Sequence, residues 1–94
     1  MDLPKSAREG ILALAKKYDI QKVILFGSRA RGDNRQRSDI DLAITGGNTV
    51  AFSVDVNEDV KTILMFDVVN LDEPVQQALL DDIAQDGVVI YEKI

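Results

Sequence analysis

Gly27-Ser28 and Asp39-Ile40-Asp41, separated by ten residues, hold residue types that handle phosphate and divalent cations. A glycine closing an apolar run lets a ligand approach the backbone, because no Cβ stands in the way. The N–H groups of a turn starting there point outward and suit a phosphate, and Ser28 adds a hydroxyl. In a strand, residues two apart share a face about 6–7 Å from one another. Asp39 and Asp41 then present two carboxylates to one side, while Ile40 faces the other. Two such anions repel unless a cation lies between them. A third carboxylate, Asp67, sits inside the apolar run Met65–Leu71, where a charge is costly unless paired or bound to metal. If its strand neighbours that of Asp39 and Asp41, the three form an oxygen-rich cage suited to Mg²⁺.

Each piece alone has an ordinary explanation: a strand-to-turn cap, two solvent-facing aspartates, or an aspartate at a strand end or paired with an arginine. The combination is more specific. Four residue types at fixed positions, each used at ~5–7%, match by chance in a chain of this size on the order of once in a thousand. The loop between them carries Arg29, Arg31, Arg35 and Arg37, which can offset the charge of a triphosphate. Arg29, next to Ser28, is the expected phosphate contact, and Ser38 is expected to help orient the loop. Arg31, Arg35 and Arg37 stay open between phosphate, solvent and a partner.

The rest of the composition narrows the chemistry. The chain has no histidine and no cysteine, so the commonest general base and the strongest side-chain nucleophile are both missing. Catalysis must rest on carboxylates, hydroxyls, Lys/Arg or a metal. The 94 residues fit one domain over 1–94. No apolar run approaches a membrane span and the start has no signal-peptide pattern, so a soluble cytoplasmic protein is expected. Net charge is −5, which disfavours direct nucleic-acid binding. The charge is segregated: residues 1–37 hold nine Lys/Arg against four Asp/Glu, and residues 38–94 hold two against twelve. Such asymmetry fits a basic loop that receives an anion and an acidic part that receives cations or a basic partner.

The elements that must position these groups follow from periodicity. Residues 4–18 read as a helix, with Pro4 in its first turn and Ala7, Ile11, Leu14, Ala15 and Tyr18 on one face. Lys22–Phe26 reads as a buried strand, Ser28 as the cap of a short turn Arg29–Arg31 closed by Gly32, and Ile40–Thr45 as a second strand. Residues 48–64 satisfy both templates. Val50, Phe52, Val54 and Val56 alternate, whereas Phe52, Val56, Val60, Ile63 and Leu64 fit a helix. A helix over roughly 50–63 is preferred, because it would lay the next strand beside the second. Met65–Leu71 reads as the third strand. A helix capped by Asp72 and ending at Gly87 follows, then a strand Val88–Tyr91. The expected class is α/β (α+β), a small mixed sheet of about four strands packed by about three helices, in the order α-β-β-α-β-α-β.

The segments L-F-G-S-R-A-R-G, S-D-I-D-L-A-I and F-D-V-V-N-L-D resemble the signature of the DNA polymerase β-like nucleotidyltransferase superfamily. They are most similar to its minimal members, the nucleotidyltransferase (MNT) antitoxins paired with HEPN-domain toxins. The resemblance covers nearly the whole chain and is weakest over 46–64. It implies that Gly27 and Ser28 hold triphosphate oxygens, that Asp39 and Asp41 ligate two Mg²⁺ ions, and that Asp67 is a third ligand and candidate base. It also implies an adenylyltransferase that moves AMP from ATP to a tyrosine hydroxyl of a HEPN RNase toxin. Two other functions compete with that one: a non-catalytic antitoxin that neutralises the toxin by binding it, and a nucleotidyltransferase acting on a small molecule such as an antibiotic.

Overall fold

Strand alternation sorts the side chains of one four-stranded sheet into two unequal cores. The computed structural model describes residues 1–94, with elements α1 (Lys5–Lys17), β1 (Lys22–Phe26), α2 (Gly27–Arg31), β2 (Ile40–Thr45), α3 (Thr49–Asp59), β3 (Phe66–Asn70), α4 (Gln77–Asp86) and β4 (Val88–Glu92). The spatial order is β3-β2-β1-β4. Both neighbours of β1 are antiparallel to it, and β2 and β3 are parallel. A parallel neighbour needs a crossover, and α3 supplies it.

On the larger face Val23, Leu25, Ile40, Leu42, Ile44, Phe66 and Ile90 meet Ala7, Ile11, Leu14 and Ala15 of α1 and Phe52 and Val56 of α3. On the other, Phe26 and Ala43 pack with Ile83 of α4, flanked by Ile24, Val69, Leu71 and Leu79. Using both faces explains why β1 and β2 read as nearly continuous apolar runs. No helix is long and apolar enough to cross a membrane.

The helical reading of the ambiguous segment holds, with a shorter span. Phe52 and Val56 are buried while Val50 and Val54 are exposed, so the alternation that imitated a strand is the two faces of one helix. The Asn48 side chain caps α3 by accepting from the Ala51 N–H at 3.2 Å. Asn57 then clamps the entry to β3. It accepts from the Phe66 N–H at 2.9 Å and donates to the Phe66 carbonyl at 3.2 Å.

Two capping expectations fail. Phe26, not Ser28, stands at the N-cap of α2, because the helix already begins at Gly27. Asp72 does not cap α4, which starts at Gln77. Its carboxylate turns back to accept from the Thr45 hydroxyl and the Gly46 N–H, and these bonds hold it below the usual carboxylate range.

Arg29 is also not where the sequence reading put it. Its side chain is 2% exposed and faces the loop that follows α2. It donates to the carbonyls of Ser38 at 2.9 Å, Gln36 at 2.9 Å and Asp2 at 3.2 Å. A guanidinium with its fork spent on three carbonyls is not free to meet phosphate. Ser38 closes the same loop by accepting from the Arg35 N–H at 2.9 Å. Gly32, in the left-handed region at φ 88°, ends α2 and lets the loop depart. Arg29→Met should therefore lower stability by about 2–4 kcal/mol, because the loop loses the three hydrogen bonds made by a buried guanidinium. Arg29→Lys should recover only part of that, since an ammonium cannot reproduce the planar fork. Urea denaturation of the three proteins measures both effects.

Candidate active site

The strand register brings the carboxylates together. Asp41 lies opposite Phe26 on its antiparallel side and opposite Asp67 on its parallel side. Ile40 and Leu42 point into the larger core, so Asp41 and, by period, Asp39 project to the α4 side. Phe66 and Val68 pack with the larger core in the same way, which puts Asp67 on the side of Asp41.

Gly27 begins where β1 ends, at φ 74°, a conformation that favours glycine. Space demands glycine as well: a Cβ there would collide with the Asp41 carboxylate. The predicted glycine and the predicted aspartate are thus in direct contact across the β1–β2 pair.

These residues line a cleft of about 370 Å³ together with Phe26, Arg31, Val69, Leu79, Asp82 and Asp86. Of the residues singled out in the sequence, Gly27, Asp41 and Asp67 form its wall. Ser28 lies in α2 beside it, half-buried, and Asp39 stands exposed one residue before β2. Arg29 and Ser38 belong to the loop.

Burial raises the Asp41 carboxyl above the usual carboxylate range, and the charges of Asp67 and Asp39 push it further up, while Arg31 works against them. The three carboxylates do not form the closed cage expected from the sequence. No three acidic side chains converge tightly enough to hold a metal ion as they stand. The donor set itself is chemically right for a hard divalent cation, being carboxylate oxygen throughout.

Four cleft residues were missed by sequence reasoning or left without a role. Arg31 is the one cation in the wall, and its guanidinium pairs with Asp86 at 2.7 Å and Asp33 at 3.1 Å. Its spacing of four from Gly27 would have placed both on one face of the turn. Leu79, Asp82 and Asp86 stand at spacings of three and four along α4, the same signal.

Comparisons with known proteins bear on the family and the fold. A relative from Methanocaldococcus jannaschii, named "Putative protein adenylyltransferase MJ0604", is 43% identical over 58 residues, covering 60% of this chain. The matched stretch spans 58% of that relative's own length. Among solved structures, a toxin–antitoxin with AMP-PNP superposes with a TM-score of 0.72 at 21% identity, over 92% of this chain and 73% of that one. Another, named "Structure of putative minimal nucleotidyltransferase", gives 0.68 at 23% identity over 89% of each chain. At these identities the structures speak for the fold. The family pattern described as polymerase beta, nucleotidyltransferase, matches residues 9–94, and the chain belongs to that family.

Proposed function

We propose that the protein is an Mg²⁺-dependent adenylyltransferase that moves AMP from ATP to a tyrosine hydroxyl on a HEPN-type RNase toxin, silencing it. The observation that carries this reading is the register. Asp41 faces Asp67 across parallel strands while its carboxylate rests against Gly27 at the end of β1. The relative's name, protein adenylyltransferase, and the toxin–antitoxin likeness support the choice of acceptor and partner.

The charge of the cleft supports the metal. Asp41, Asp67, Asp82 and Asp86 line it against Arg31 alone. A triphosphate enters such a wall only with cations that neutralise both sides. Asp39, Asp41 and Asp67 would hold magnesium, two ions in the full arrangement. When bound, magnesium lowers the pKa of the attacking hydroxyl and stabilises the leaving pyrophosphate.

The chain's own residues do the rest. Gly27 leaves room for phosphate oxygens at the end of β1, and Ser28 offers its hydroxyl beside them. Arg31 is the cation placed to meet the polyphosphate. Asp67, exposed at the cleft wall, is placed to accept the proton of the incoming hydroxyl. Phe26, Val69 and Leu79 give the cleft an apolar flank.

Two outcomes test this. With purified toxin, ATP and magnesium, intact-mass spectrometry should show AMP added to the toxin. Asp41→Asn and Asp67→Asn should each slow that addition by ~10²–10⁴-fold. Toxin silenced with no added mass, and equally well by both variants, would instead favour neutralisation by binding. The second outcome concerns stability. A carboxyl raised by folding costs stability when ionised, fully so above its raised pKa, and the cost is relieved as pH falls through that pKa. In chelator at neutral pH, Asp41→Asn should therefore melt a few degrees above wild type, and the gap should close on acidification. Magnesium should lift wild type and leave the variant nearly unchanged in a thermal melt.

A further inference from the structure

The Arg31 guanidinium is already neutralised before any ligand arrives. Its Nη1 lies 2.7 Å from the Asp86 carboxylate and its Nε 3.1 Å from that of Asp33. Two carboxylates on one guanidinium make a group of net negative charge. The Asp86 side chain is 13% exposed and that of Arg31 45%, so the tie sits at the cleft wall with its Asp86 end largely shielded from water.

The tie also joins two elements that pack against each other beside the cleft. It runs from α2, at the end of β1, to the last residue of α4. Only Ile83 of α4 is buried. Ile83, with half-buried Leu79 beside it, anchors the helix on the sheet, and this ion pair is added at its end.

A polyphosphate in the cleft needs the one cation in the wall, and a two-pronged grip on phosphate uses Nη1 or Nε beside a second N–H; Asp86 holds Nη1 and Asp33 holds Nε, so neither fork is whole until a carboxylate leaves. We propose that Asp86 is a positioning residue that holds Arg31 in reserve, and that an entering triphosphate displaces Asp86 from it. Asp86 thereby sets nucleotide affinity without touching nucleotide. Displacement leaves the carboxylate unpaired and loosens α4 when the site is loaded. The proposal rests on the reading of the cleft as a nucleotide site.

Calorimetric titration of ATP with magnesium into the whole protein tests it. Asp86→Asn should tighten binding about two- to five-fold, the range of a partly exposed ion pair removed from competition. Arg31→Met should weaken it ~10-fold or more. In the Arg31→Met background, Asp86→Asn should change nothing. Asp82→Asn removes a charge from the same wall without touching Arg31, and should give a smaller gain that persists in that background. Asp33→Asn, at the exposed end of the tie, should tighten binding slightly and carries little folding risk. A structural role alone moves the readouts differently: Asp86→Asn would lower the urea midpoint with affinity equal or poorer. Unchanged or weaker binding by Asp86→Asn, or the same gain with and without Arg31, overturns the proposal while the nucleotide reading stands. Wild type that fails to bind ATP with magnesium overturns both.

Discussion

The structure depends on the position of β2. It is paired on both sides, antiparallel to β1 and parallel to β3. A slip of one residue on either side would turn Asp41 into the larger core or bring Ile40 to the cleft. The register is fixed by burial: Ile40, Leu42 and Ile44 have no exposed surface, so a one-residue slip takes three large apolar side chains out of the larger core. The larger core thus does more than stabilise. It aims the carboxylates on the opposite face, and Asn57 secures the start of β3 so that Asp67 arrives at the right level.

That aim is unfavourable in itself. Asp41 is raised by burial and by its acidic neighbours, and Gly27 surrenders its Cβ to make room for it. Such strain between packing and charge is typical of sites organised for a ligand that the fold alone does not provide. The remaining arginine-rich segment resolves into two separate tasks. Arg29 is internal and builds the loop, while Arg31, two residues on, stands at the cleft wall. Their difference is helical phase: a separation of two puts them on opposite sides of a one-turn helix.

Much of this was legible in the sequence because it follows from short-range rules. Lys22–Phe26 and Ile40–Thr45 span the residues expected of them, and β3 lies beside β2, the condition on which Asp67 shares a side with Asp41. What escaped notice depends on partners far along the chain. Asp72 was read as a cap because the Thr45 hydroxyl that claims it is 27 residues away. Arg29 was read as a phosphate contact because proximity to Ser28 says nothing of the carbonyls at Gln36 and Ser38 that enclose it.

The placement of β4 has a consequence for the order of assembly. The strands that carry the carboxylates and the glycine are joined by segments of moderate length, whereas β4 must return from the end of the chain to pair Val88 with Leu25. Closing so distant a contact is entropically slow. During synthesis, β1, β2 and β3 can form and orient the acidic face while the last strand is still being made, leaving one edge of β1 unpaired. The pairing that brings Gly27, Asp41 and Asp67 together is therefore encoded before β4. Until β4 pairs with it, that edge of β1 is open to another extended chain.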